Sequence, residues 1–86
     1  MKYIFVDESW EDYLYWQKTD KKILKRINKL LKDISRNPAA AEPGKPEPLK
    51  YKYQGFWSRR ITDEHRLIYK YREDEILIAK CRFHYD

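Results

Sequence analysis

The chain predicts an α+β fold, in which an N-terminal strand and a two-helix hairpin pack on an antiparallel sheet completed by a four-stranded C-terminal meander. Three features carry that expectation: a short β-rich start, two successive helical periodicities, and a change to period two from Leu49 onward. With 86 residues the chain supports one domain, spanning 1–86.

Lys2 to Val6 is β-rich and short, which predicts an opening strand. Ser9 reads as an N-cap, with Asp12 three residues on as the acidic partner of a capping box. Trp10, Tyr13 and Leu14 follow at helical spacing and mark the apolar face of a first helix through about Gln17. Thr19-Asp20 breaks that helix and caps the next. In the second helix Ile23, Ile27, Leu30, Leu31 and Ile34 form a single stripe, with lysines and arginines on the remaining surface. At roughly 1.5–3 kcal/mol per large side chain buried, that stripe belongs on a sheet. Asn37-Pro38 ends it.

Residues 38 to 48 hold all four prolines and one of the two glycines, and read as a loop. Turn signals at Gln54-Gly55, Thr62-Asp63-Glu64 and Arg72-Glu73-Asp74 then divide four strands, and their short connections imply an antiparallel meander. Alternation assigns faces. In the last strand Leu77, Ala79, Cys81 and Phe83 form one set and Lys80, Arg82 and His84 the other. In the preceding strand Leu67, Tyr69 and Tyr71 alternate with Arg66, Ile68 and Lys70, so Arg66 joins the polar face if the registers match, and Arg59 or Arg60 completes it.

A formal net charge of +5 and a pI near 9.3 favour an anionic partner, nucleic acid or an acidic protein. The single Cys81 excludes an intramolecular disulfide, and one thiol with two scattered histidines makes no metal site, so neither metal nor cofactor is expected. The apolar run at residues 1–7 is too short for a signal peptide or a membrane span, which points to the cytoplasm.

RNA is cut without a metal when its 2′-hydroxyl attacks the adjacent phosphorus, because the nucleophile is already tethered. The protein must then supply a base for the 2′ proton, a cation for the non-bridging oxygens and an acid for the leaving 5′ oxygen. Glu47, Arg66 and His84 fit these roles in that order. Pro46 and Pro48 stiffen the backbone around Glu47. Lys45, Lys50, Arg59, Arg60 and Tyr85 are the expected substrate contacts, with Tyr85 orienting or stacking on a base. His65, at a turn, is assigned no chemistry; Trp10, Trp16 and Trp57 read as core or interface aromatics, and Cys81 as inert.

The order of these features resembles the YoeB branch of the RelE-like toxins of bacterial toxin-antitoxin pairs. The likeness runs from Glu8-Ser9-Trp10-Glu11-Asp12-Tyr13 through Gly44-Lys45-Pro46-Glu47-Pro48-Leu49-Lys50, Gly55-Phe56-Trp57-Ser58-Arg59-Arg60 and Glu64-His65-Arg66-Leu67 to Cys81-Arg82-Phe83-His84-Tyr85. It implies a RelE-like fold and an endoribonuclease that cuts translated mRNA in the 30S A site of the ribosome, thereby inhibiting translation. Glu47 would be its general base, His84 its general acid and Arg66 its cation, with Tyr85 and Lys50 assisting. It also implies a homodimer and a cognate antitoxin of YefM type, with operator DNA bound only through the toxin-antitoxin complex. The Ala39-Ala40-Ala41-Glu42 stretch departs from the family pattern. So does Asp86, which follows the final His-Tyr pair and whose charge should favour protonated His84; an unchanged pH-rate profile on deleting Asp86 would refute this.

Two other classes compete. A non-catalytic, basic inhibitor of translation that binds ribosomal RNA would use the same cations and leave mRNA intact. A DNA-binding module built on the helices is disfavoured, because the second helix needs its Ile23 to Ile34 stripe for the core.

Overall fold

The computed structural model of the chain describes residues 1–38, 44 and 46–83. Its elements are β1 (Lys2–Phe5), α1 (Asp7–Thr19), α2 (Lys21–Arg36), β2 (Glu47–Pro48), a 3₁₀ turn (Tyr51–Tyr53), β3 (Trp57–Arg60), β4 (Arg66–Arg72) and β5 (Glu75–Lys80). The apolar stripe of α2 sets the layering. Ile27, Leu30 and Ile34 are fully buried in one cluster with Leu67 and Tyr69 of β4 and Ile76 and Ile78 of β5. Asp20 starts α2 as expected, its Oδ1 accepting the Lys22 and Ile23 N–H groups at 3.0 and 3.2 Å.

The sheet has the order β1-β5-β4-β3-β2. Strands β2 to β5 form the predicted antiparallel meander. The N-terminal strand pairs in parallel with β5, from Lys2 opposite Glu75 to Phe5 opposite Ile78, so the sheet is mixed rather than antiparallel throughout. A parallel pair needs a long crossover, and here the helical hairpin and the meander together provide it.

Three local expectations are corrected. Helix α1 begins at Asp7, two residues before the predicted cap, after an extended Val6. Ser9 therefore lies within the first turn, where its buried Oγ accepts the Val6 N–H at 3.0 Å and donates to the Ile78 carbonyl at 2.6 Å. The buried face of α1 consequently runs through Ser9 and Trp16, while Trp10 stays exposed.

The first meander strand is Glu47–Pro48, inside the stretch read as a loop, and residues 51–53 form a 3₁₀ turn instead of a strand. Tyr51 has φ 58 and is exposed, which breaks the extended run that alternation suggested. Leu49 closes the hairpin, its N–H donating to the Phe56 carbonyl at 3.0 Å.

The third correction concerns β5. A register irregularity against Ile68 and Tyr69 pairs Tyr69 with Ile78 but Ile68 with Lys80, which inserts one residue. Ile76, Ile78 and Cys81 enter the core, so Leu77 and Cys81 do not share the face assigned to them. Among the described residues, no helix is long and apolar enough to cross a membrane.

Candidate active site

Directly opposed residues in neighbouring strands share a face of the sheet. Trp57 opposite Tyr69 and Arg59 opposite Leu67 mark the face that meets the helices. The other face therefore carries Glu47 opposite Ser58, Ser58 opposite Ile68, and Arg60 opposite Arg66. Two expected site residues meet there: Glu47 Oε1 is 4.0 Å from Arg66 Nη1. Their settings differ, because the Glu47 side chain is 53% exposed and that of Arg66 only 15%. Arg66 is thus held by its surroundings, while Glu47 stays open to an incoming group. Arg66 Nε is buried and finds no hydrogen-bond acceptor among the described residues, which leaves a charged donor to be satisfied by something else.

Arg60 is exposed on the same face, its backbone fixed by the N–H bond to the Gly44 carbonyl at 3.0 Å and by Arg26 Nη2 donating to its carbonyl at 3.2 Å. Lys50 is exposed just before the 3₁₀ turn. Arg59 is corrected: it points to the helix side, is fully buried, and donates from Nε to the Tyr69 hydroxyl at 2.9 Å and from Nη2 to the Pro38 carbonyl at 3.2 Å. One residue of register separates the two arginines, and it makes Arg59 a structural group. Burial pushes the Tyr69 phenol above its ordinary pKa, against the opposing pull of Arg59. Lys45, His84 and Tyr85 lie outside the described residues, as does Asp86.

Lys80 ends β5 opposite Ile68, and from there the set of Lys80 and Arg82 divides between contacts to helix α1. Lys80 Nζ lies 3.7 Å from Glu8 Oε2 of α1, and the Arg82 guanidinium stands 3.6 Å from the centre of the Tyr15 ring. The inserted residue in β5 and a left-handed Phe83, at φ 64, end the alternation. Helix α1 instead grips this segment. Trp16 Nε1 donates to the Cys81 carbonyl at 2.9 Å, and the Cys81 N–H donates to Asp12 Oδ2 at 3.0 Å. Burial raises the Asp12 carboxyl above its ordinary range and pushes the Cys81 thiol up to about 12, which agrees with an inert cysteine.

His65 was given no role by the sequence, yet it is buried, packs edge-on to Trp16 at 4.7 Å, and accepts the Phe83 N–H on Nδ1 at 2.8 Å. Next to it, the Arg66 N–H donates to the Phe83 carbonyl at 3.0 Å. Nothing local announces a contact between residues 18 apart in the chain. Among the described residues, no group of three or more His, Cys, Asp or Glu side chains is placed to hold a metal ion.

A sequence model for the YoeB-like toxin of bacterial type II toxin-antitoxin systems matches residues 5–85. Toxin YoeB of Escherichia coli K12 is 61% identical over 85 residues, covering 99% of this chain and 100% of that protein. A solved YoeB/ParE toxin from Agrobacterium tumefaciens superposes with a TM-score of 0.93 at 45% identity, over 99% of this chain and 100% of that one. The YoeB of Staphylococcus aureus, solved as a dimer and in complex with YefM, gives TM-scores of 0.91 and 0.90 at 48% and 47% identity, each over 99% of this chain and 98% of the other. With one sheet, one helical hairpin and one sequence pattern shared along nearly its whole length, the chain belongs to the YoeB family of toxins from type II toxin-antitoxin systems.

Proposed function

We propose that this toxin is an endoribonuclease that cuts translated mRNA in the ribosomal A site and so stops protein synthesis. The observation that carries the reading is the pairing of an open carboxylate with a sheltered guanidinium, Glu47 and Arg66, 4.0 Å apart on one sheet face. Glu47 removes the 2′ proton, and the freed oxygen bonds to phosphorus as the bond from phosphorus to the 5′ oxygen breaks. The products are a 2′,3′-cyclic phosphate and a 5′-hydroxyl end. Arg66 stabilises charge on the non-bridging oxygens, where a preorganised donor is worth most. His84 gives the leaving oxygen its proton. The assignment of His84 is supported by its neighbour, since Phe83 is bonded through its carbonyl to the Arg66 N–H. Arg60, Lys50, Lys45 and Tyr85 contact the substrate; no cofactor takes part, because the nucleophile is built into the RNA.

The proposal extends to assembly. A YefM-type antitoxin neutralises the toxin, the toxin pairs as a homodimer, and operator DNA is bound only through the joint complex. The antitoxin and the dimer follow the S. aureus relative, solved with YefM and as a dimer. A single domain acting in the cytoplasm completes the picture. The test is mapping of mRNA 5′ ends on translating ribosomes. Wild-type chain should yield discrete new ends, and Glu47→Ala or His84→Gln should yield none while remaining folded. Blocked translation with intact mRNA would favour the non-catalytic inhibitor instead.

A further inference from the structure

We infer that His65 is a positioning residue whose Nδ1, by accepting the Phe83 N–H, fixes the C-terminal segment beside Arg66 for the cleavage proposed above. The inference rests on that nuclease reading and adds a residue to it.

The geometry is a two-point hold. Phe83 gives its N–H to the His65 side chain at 2.8 Å and receives the Arg66 N–H on its carbonyl at 3.0 Å. The first bond goes to a side chain rather than to a backbone carbonyl, three residues past the end of β5 at Lys80. An imidazole therefore extends the pairing beyond the sheet. His65 itself has little freedom. Its N–H donates to Thr62 Oγ1 at 3.1 Å, its carbonyl accepts the Ile61 N–H at 3.0 Å, and its ring lies edge-on to Trp16. Trp16 in turn donates to the Cys81 carbonyl at 2.9 Å, so ring and segment are braced by the same indole. In the nuclease reading the general acid His84 follows Phe83 directly in the sequence, and a general acid must lie within hydrogen-bond reach of the leaving oxygen.

Only an acceptor at the Nδ1 position satisfies the Phe83 N–H. His65→Phe keeps an aromatic ring against Trp16 without an acceptor, His65→Leu removes ring and acceptor together, and His65→Asn offers an amide oxygen at about the same place. Cleavage of mRNA on translating ribosomes and hydrogen exchange at the Phe83 amide are measured for all four proteins. His65→Phe and His65→Leu should lose about 10²-fold in kcat with little change in KM, the scale set by misplacing a reacting group by about 1 Å. His65→Asn should recover most of that loss. Exchange at Phe83 should quicken in the non-accepting variants and stay slow in His65→Asn. Equal loss in His65→Asn and His65→Phe, or wild-type kcat in any folded non-accepting variant, overturns the inference while leaving the nuclease reading intact. If the wild-type chain leaves mRNA uncut, the nuclease reading falls and the inference with it.

Discussion

Glu47 and Arg66 face each other across two strand pairings, with Ser58 and Arg60 of β3 between them, and their charged atoms stand 4.0 Å apart. At that distance a partly exposed ion pair contributes little to stability. Its arrangement matters more for chemistry, because a carboxylate and a guanidinium this close can address the nucleophile and the phosphate oxygens of one phosphodiester.

Separate substitutions should reveal that division of labour. Glu47→Gln is expected to lower single-turnover cleavage by about 10²–10⁴-fold, the usual worth of a general base. Arg66→Ala should lower it by about 10²–10³-fold through lost charge stabilisation. Both proteins should unfold at nearly the wild-type urea midpoint, since the pair does little for the fold. A variant that cleaves at the wild-type rate would remove its residue from the mechanism.

Asp12 allows a test of stability and pH together. Its Oδ2 accepts the Cys81 N–H at 3.0 Å, and burial raises its pKa above the ordinary 3.8. Asp12→Ala leaves that N–H without its partner and should cost about 1–3 kcal/mol. The raised folded pKa means the native state takes up the proton first as pH falls. This residue therefore adds stability on acidification through the window just above 3.8 and loses it as pH rises. Asp12→Asn keeps an oxygen acceptor and does not ionise, so it should match or exceed wild-type stability at pH 7 and flatten that part of the curve. Urea melts at several pH values measure both effects, and a large loss in Asp12→Asn at pH 7 would contradict them.

The same residues mark how far a one-dimensional reading reaches. The stripe from Ile23 to Ile34 and the turn signals between the strands are local, and the helix and meander they predict are present. Glu47 and Arg66 were legible as partners because residue types suited to one reaction fell on strands of one meander. Choosing between Arg59 and Arg60 required a register, which a single residue reverses. The inserted residue in β5 left no mark in composition, and it separated Cys81 from the face assigned to Leu77. The bonds from His65 to Phe83 and from Asp12 to Cys81 join residues 18 and 69 apart, and only folding reveals them.

Cys81 should be silent toward thiol reagents. Its side chain is fully buried and donates to the Ser9 carbonyl at 3.7 Å, and that burial pushes the thiol pKa up to about 12. The thiolate is the reactive form, so labelling near pH 8 should proceed only through unfolding. An aromatic disulfide reagent should react within seconds in denaturant and far more slowly without it. Rapid labelling of the native protein would mean that the segment from Cys81 to Phe83 opens readily, which would also weaken the hold assigned to His65.

Gly44 connects the core to the residues leading into Glu47. Its φ of 86 lies in the left-handed region, and its carbonyl accepts the Arg60 N–H at 3.0 Å. A Cβ there would stand 3.1 Å from Arg59 Cβ and 3.2 Å from Leu30 Cδ2, and both of those residues are fully buried. Neither can yield easily, since Arg59 is bonded to Tyr69 and Leu30 lies in the α2 stripe. Gly44→Ala should therefore destabilise the fold by about 1–3 kcal/mol through crowding and backbone strain. For a domain of this size that lowers Tm by about 4–8 °C for each kcal/mol. The shift should also loosen the Gly44 to Arg60 bond, three residues before Glu47, so cleavage should fall even at temperatures where the variant is fully folded. Scanning calorimetry and a cleavage assay on the same preparation separate the two effects. An unchanged Tm would show that the backbone at Gly44 adjusts freely and that the approach to Glu47 is not held from this side.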